Sequence, residues 1–336
     1  MLNPRRGDIG LRRNDPRRGR GTIVPQNDIS IVIPAFRAAA TLARTVESCL
    51  THVSPRQIVI VIDGPDPALE AAALACAGGV RIFVLPQACG APVCRNFGLA
   101  LVETRYVMFL DADDYLEGEL LPSACAAADL AGADVALGRF CFEYPDGGRV
   151  LREPGQIYGD FDRATILRRW LTDDYTPPCA VVWRTRFVRD LGGWDETLAK
   201  NQDGDLIYRA LLTGAVATGA PGGLGVYVPA DDPNRITRRH SRRTLESHLA
   251  VLEKIRALLP LQPFDAGAEL RLAYYNLARL AFTVGFDDIG REAEKTAREL
   301  GLSGQPGTTA HLLVASMLGL RGKQKLATLV RRPLAG

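Results

Sequence analysis

The apolar residues of this chain fall into short unbroken runs, separated by stretches in which they recur every three or four positions. Ile29 to Ile33 is a β-branched run stopped by Pro34, and Ala38 to Leu50 follows with helical spacing through Leu42, Val46 and Leu50. Ile58 to Ile62 repeats the design and ends at Asp63-Gly64-Pro65. The pattern then predicts a helix over Ala68 to Ala77, a strand over Val80 to Leu85, a helix over Ala91 to Val102 and a fourth strand over Tyr106 to Leu110. Strands alternating with helices at this spacing predict an α/β fold with a doubly wound, mainly parallel sheet.

Beyond the sheet, Gly192-Gly193 marks a turn. Leu206, Tyr208, Ala210, Leu211 and Leu212 predict a helix whose first turn carries Asp203 and Asp205. Acids there complement a helix dipole, which is one sufficient reason for their presence. From Thr244 onward, Leu245, Leu249 and Leu252, and then Leu270 to Val284, predict a C-terminal helical appendage over 244–336. Residues 310–332 mix apolar residues with Arg321, Lys323, Lys325, Arg331 and Arg332. Such a basic amphipathic helix either rests peripherally on an anionic membrane surface or caps the catalytic domain. Residues 1–27 are rich in arginine and poor in apolar residues, so a disordered basic leader is expected there, with the catalytic domain over 28–243.

Composition narrows the classes. A chain of 336 residues with 47% apolar content suits one large domain plus an appendage. A net charge of only +3 argues against a protein built to coat nucleic acid. Seven cysteines sit among apolar or small neighbours with no C-x-x-C pair, which predicts reduced thiols and a cytoplasmic location. No uninterrupted apolar run is long enough for a membrane span, so a soluble protein is expected, with peripheral membrane contact confined to the basic helix.

The strand ends carry the candidate chemistry. In an open α/β sheet, ligands bind outside the carboxyl ends of the strands. The first strand ends in Pro34-Ala35-Phe36, the second in Asp63-Gly64 and the fourth in Asp111-Ala112-Asp113-Asp114. Alternation along an extended strand would send Asp111 and Asp113 to one side. Two carboxylates there invite Mg²⁺ or Mn²⁺, cations that are completed by substrate phosphates, so a nucleotide diphosphate is the natural partner.

In order along the chain, these pieces resemble the family 2 glycosyltransferases, nucleotide-diphospho-sugar transferases of the GT-A fold. The resemblance rests on Ile31 to Phe36, Val59 to Gly64, Gly90 to Gly98 with Arg95-Asn96, Phe109 to Asp114, Gly192 to Glu196 and Asn201 to Asp205. It implies that Pro34, Ala35 and Phe36 flank the nucleotide base and that Asp63 accepts a hydrogen bond from it. Arg95 would approach the base or the diphosphate. Asp111 would lie near the ribose and the cation, Asp113 would bind the cation, Asp114 would support the loop, and Asp203 would be the catalytic base of an inverting transfer. The donor implied is a nucleotide-diphosphate sugar, most simply a UDP-sugar, and the acceptor a glycan, glycolipid or protein.

Three positions depart from the family pattern. Gln202 stands where many members have an acid beside the base, Ile62 precedes Asp63 where two acids are frequent, and Pro65 replaces a small polar residue. Trp194 reads equally as an acceptor platform or as a core residue. Arg235, Arg238, Arg239 and His240 lie where related enzymes have a loop that closes over the diphosphate. A Rossmann dehydrogenase is excluded because Pro34-Ala35-Phe36-Arg37 replaces the glycine fingerprint, and a P-loop kinase because its phosphate-binding motif is absent. Nucleotidylyltransferases share a related sheet, but their glycine-rich basic loop after the first strand is missing. The remaining different-class alternative is a non-catalytic nucleotide- or carbohydrate-binding partner subunit derived from a transferase, against which the intact set of Asp111, Asp113 and Asp203 argues.

Overall fold

Alternating side chains along three central strands build two separate cores. Strand β1 (Ile29–Ala35) sends Ile29, Ile31 and Ile33 to one face and Val32 to the other. Strand β2 (Ile58–Ile62) does the same with its three isoleucines and two valines, and β4 (Tyr106–Phe109) opposes Tyr106 and Met108 to Val107 and Phe109. Every residue of these strands is buried, as expected for strands covered on both faces. A computed structural model describes residues 28–76, 78–229, 240–302 and 319–324. The expected leader (1–27), the cluster of Arg235, Arg238 and Arg239, and most of the basic segment 310–332 lie outside the described residues.

In chain order the remaining elements are α1 (Leu42–Leu50), α2 (Pro67–Leu74), β3 (Arg81–Val84), α3 (Ala91–Leu101), β5 (Tyr115–Glu117), α4 (Leu120–Ala131), β6 (Val135–Glu143), β7 (Arg149–Arg152), α5 (Pro154–Tyr158), α6 (Arg163–Leu171), β8 (Val181–Arg184), α7 (Thr185–Asp190), α8 (Gln202–Leu212), β9 (Ala217–Tyr227), α9 (Arg242–Leu258), α10 (Gly267–Val284) and α11 (Asp287–Glu299). Helix α1 begins four residues later than its apolar spacing predicts, because Ala38 to Thr41 form a turn in which Thr41 and Leu42 donate to Ala38 O. Helix α2 starts where Asp66 accepts from the Leu69 amide and Pro67 fills the first turn.

The strand order is β3-β2-β1-β4-β8-β6-β9-β5, with β7 added beside β6. The first four strands pair in parallel, as the βα repeat predicts. From β4 outward the sheet is mixed: β8 runs antiparallel to β4 and β6, whereas β9 runs parallel to β6 and antiparallel to β5. Strand β1 continues through Pro34 to Ala35 because Pro34 stands opposite Val61 in the ladder, so the proline does not end the strand.

Helices α1, α2 and α4 cover the isoleucine face. The valine face is covered by α3, α6 and α8, and the same apolar cluster runs on without a break through Leu249 and Leu252 of α9, Tyr274 and Phe282 of α10 and Ile289 of α11. The C-terminal helices therefore share a core with the sheet.

Helix α3 approaches β1 unusually closely. A Cβ added at Gly98 would lie 2.3 Å from Val32 Cγ1. Gly98→Ala is accordingly expected to cost about 1–3 kcal/mol through overpacking, read as a lower urea midpoint with an unchanged slope. A midpoint equal to the parent's would show that α3 can shift freely on the sheet.

Candidate active site

Side-chain alternation carries past the end of β4: Leu110 and Ala112 belong to the isoleucine-face core, and Asp111 turns to the face covered by α3 and α8. The chain then reverses. The Asp114 amide donates to Asp111 O at 3.0 Å, so Asp111 to Asp114 form a tight turn rather than the extended continuation from which the sequence pattern placed both acids on one side. Thr45 of α1 donates to Ala112 O (3.0 Å) and Asp114 O (2.7 Å), and Arg44 donates to Asp113 O (3.0 Å). Asp114 is fully buried and accepts from the Val228 amide at 2.9 Å, which gives it the supporting role expected of it.

Arg95 of α3 organises the acids that face it. Its side chain is buried, with the residue only 3% exposed. One terminal nitrogen donates to Asp111 Oδ1 at 2.6 Å, and the other lies 3.5 Å from both Asp203 Oδ1 and Gln202 Oε1. Its guanidinium carbon stands 4.3 Å from the centroid of the Trp194 ring, a cation–π contact. Burial would lower the pKa of this group, but Asp111 and Asp203 outweigh that effect and hold it above its ordinary value. Arg95 was expected to approach the base or the diphosphate; in this structure its hydrogen bonds go to the protein's own carboxylate and amide.

Trp194 is a core residue, 4% exposed, with Phe109 meeting it edge to face at 5.3 Å. Of the two sequence readings the structure selects the buried one: the ring supports Arg95. Asn96, next to Arg95 on α3, holds this tryptophan's backbone by accepting from Trp194 N (2.8 Å) and donating to Trp194 O (2.9 Å). The turn fits this closely only because Gly193 has φ +67° and no side chain; a Cβ there would meet Asn96 Oδ1 at 2.5 Å.

Asp203 opens α8, after Asn201 in a left-handed N-cap conformation. Its carboxyl is split between two environments: Oδ1 is sealed, with no hydrogen-bond partner among the described residues beyond the long ion pair to Arg95, while the side chain as a whole is 41% exposed. Asp203 borders a small cavity lined also by Phe109, Trp170, Trp183, Trp194 and Leu206. Burial pushes the Asp203 pKa up; Arg95 opposes this and Asp111 reinforces it. A carboxylate with a raised pKa is a stronger base than an ordinary aspartate. Asp205, two residues on, is buried against Lys254 and Arg209, and so belongs to the frame.

The second strand end is further back. Asp63 Oδ1 accepts from the amides of Cys89 (2.6 Å) and Gly90 (3.1 Å), and Oδ2 from Gly90 (3.0 Å), which fixes the loop that starts α3. Pro34 and Ala35 are buried, and Ala35 O accepts from Asp63 N at 2.9 Å. Phe36 is 55% exposed beside Arg37, whose φ is +51°. The structure thus brings Arg95, Asp111 and Asp203 together and places Phe36 and Asp63 on the neighbouring strand ends. Among the described residues, no group of three or more His, Cys, Asp or Glu side chains is gathered for a metal, His240 included. A cation here would rely on carboxylates at the turn and on oxygens of its substrate, a donor set that suits Mg²⁺ or Mn²⁺. Sequence reasoning singled out Asn96 only as the neighbour of Arg95, without its role, and missed Thr45 and Lys254, neither of which carries a local pattern.

Residues 30–188 match the model described as glycosyl transferase family 2. That segment, a little under half of the chain, is a family 2 glycosyltransferase domain. The chain is 29% identical over 199 residues to the pre-mycofactocin glycosyltransferase of Mycobacterium tuberculosis, covering 56% of this chain and 40% of that protein. It is also 29% identical over 210 residues to the succinoglycan biosynthesis protein ExoU of Rhizobium meliloti, covering 58% of this chain and 60% of that one. The match therefore spans less than two thirds of either relative. The crystal structure of S. aureus TarS 1-349 in complex with UDP-GlcNAc superposes with a TM-score of 0.61 over 91% of this chain and 92% of that chain at 15% identity, a likeness of fold. Among the described residues, no helix is long and apolar enough to cross a membrane.

Because the folded pKa of Asp203 lies above its unfolded value, the folded state binds this proton more tightly. That contribution to stability is fully present below the unfolded pKa of about 3.9 and is lost as the pH rises through the folded value. Asp203→Asn is therefore expected to melt higher than the parent at pH 8 and to lose that advantage at pH 3.5. Equal melting temperatures at both would contradict the raised pKa.

Proposed function

We propose that this protein transfers a sugar, with inversion, from a nucleotide-diphosphate sugar to an acceptor hydroxyl. The observation that carries this reading is the meeting of Arg95, Asp111 and Asp203 at the carboxyl edge of a family 2 sheet, one carboxylate at the acidic turn after β4 and the other half open on the facing helix. A UDP-sugar is the donor we favour, since the TarS neighbour was crystallised with UDP-GlcNAc and with UDP. The acceptor is a glycan, glycolipid or protein; the kinship with a succinoglycan biosynthesis protein favours the glycan.

The roles follow from charge and reach. Phe36, exposed beyond Pro34 and Ala35, offers a face for the nucleotide base, with Asp63 behind it. Asp113 and the second oxygen of Asp111 would hold a divalent cation, which when bound neutralises the charge developing on the departing diphosphate. Asp203 takes the proton of the acceptor hydroxyl through its open oxygen as that hydroxyl attacks the anomeric carbon from the side opposite the diphosphate. The bond from anomeric carbon to phosphate oxygen breaks as the new glycosidic bond forms. Arg95 limits the rise in the Asp203 pKa and so keeps the carboxylate ionisable.

Asp203→Asn is expected to lower turnover by about 10²- to 10⁴-fold with donor affinity nearly intact; a parallel fall in donor affinity would remove Asp203 from the base role. The direct test of donor and cation is calorimetric titration of UDP, dTDP, GDP and CMP in Mn²⁺ and then in EDTA, on the parent and on Asp113→Ala. One nucleotide should bind in a cation-dependent way that the variant loses while remaining folded. Unchanged Mn²⁺-dependent affinity in the variant would end the metal assignment. No binding by the folded parent would favour the non-catalytic partner subunit.

A further inference from the structure

We propose that Lys254, on C-terminal helix α9, is a positioning residue for Asp203, so that α9 is a working part of the site. The proposal rests on the reading of Asp203 as the base, and the residues that carry it lie beyond the span that matches the family model.

The Lys254 ammonium stands 2.6 Å from Asp195 Oδ2 and 2.7 Å from Asp205 Oδ1. It thereby joins the two ends of the segment that contains Trp194 at its start and Asp203 near its close. The Asp205 side chain is 1% exposed, and a carboxylate so buried requires compensation on both oxygens. Arg209 supplies the other half: its Nε donates to Asp205 Oδ2 at 2.8 Å, while its terminal nitrogens donate to Leu191 O (2.9 Å) and Gly193 O (2.7 Å). The glycine turn, the Trp194 floor and the first turn of α8 are therefore tied into one ionic knot whose outer cation comes from α9.

Helix α9 holds the same segment a second time. Ser247, seven residues before Lys254 and so on the same helical face, accepts from the Ala199 amide at 2.8 Å. Asp203 lies within the same helical turn as Asp205, so a constraint on one is a constraint on the other. An exposed lysine–carboxylate pair contributes little to stability. This one differs because one partner is buried and because the segment it closes carries both the floor under Arg95 and Asp203 itself.

The test uses the full chain with Lys254→Met, Lys254→Arg and Asp195→Asn. Amide hydrogen exchange over 192–205 reports the clamp directly, and Mn²⁺-dependent UDP affinity together with UDP release from UDP-GlcNAc, with water as acceptor, reports its effect on the base. For Lys254→Met we expect faster exchange confined to 192–205, UDP affinity within about twofold of the parent, and UDP release at saturating donor slowed at least about tenfold, since small misplacements of a reacting group carry penalties of up to 10²-fold. Lys254→Arg should recover both readouts. Parental exchange and turnover in a folded Lys254→Met would overturn the proposal, as would a global rise in exchange with equal losses of binding and turnover, the signature of a merely structural role. Should that variant fail to fold, Asp195→Asn, which leaves the bond to Asp205 in place, must show the local exchange and the turnover loss, and parental behaviour would overturn the proposal. If the parent binds no nucleotide and releases no UDP, the glycosyltransferase reading fails, and the exchange pattern alone decides whether Lys254 clamps the segment.

Discussion

Arg95 holds a full positive charge at 3% exposure, a state that would be costly were it not met from two directions. Asp111 meets it from the turn after β4 and Asp203 from the start of α8, while the Trp194 ring closes the third side. The same charge makes the juxtaposition of the two carboxylates tolerable, because without it they would repel across a poorly solvated gap. One cation against two acids leaves the mouth of the site negative, and Asp113 at the same turn adds to that sign. On the proposed reading, such a field would draw in a cation, and through it a diphosphate that the bare carboxylates would reject.

The guanidinium is in turn held by a chain of short-range constraints. Asp63, at the end of β2, fixes the amides of Cys89 and Gly90, the point where α3 begins. Gly98 lets that helix settle against Val32, so Arg95 and Asn96 arrive at the sheet edge in register. Asn96 then fixes the backbone of the tryptophan under its neighbour. Asp63 thereby affects the site through α3 as well as through any contact with a nucleotide base.

Strands β1, β2 and β4 were legible because each is an apolar run buried on both faces, with isoleucine on one face and valine on the other in β1 and β2. Asp111 and Asp113 were legible because they end such a run, whereas Asp203, in the first turn of a helix, was legible only through its order after them in the family resemblance. The second half of the sheet was not legible. Strand β9 carries Gly219, Gly222, Gly223, Gly225 and Pro221, so neither alternation nor β-branching announces it. The frame around Asp203 was equally hidden: Lys254 lies in a helix whose apolar spacing reads as packing, and the pairing of Asp205 with it joins positions 49 residues apart. The split environment of Asp203 arises from the third dimension alone, because its buried oxygen lies against Arg95, a residue of another helix far away in the chain.

Strand β5 directly follows the acidic turn, yet it pairs with β9, at the opposite edge of the sheet from β3. Asp114 likewise takes its amide partner from Val228, 114 residues further along. A chain emerging from the ribosome can therefore assemble β1 to β4 early, with Thr45 and Arg44 of α1 already on the backbone of the acidic turn, but the buried Asp114 carboxylate lacks the Val228 amide until residue 228 has been made and threaded back. The support beneath the acidic turn is accordingly complete only once the far edge of the sheet is in place.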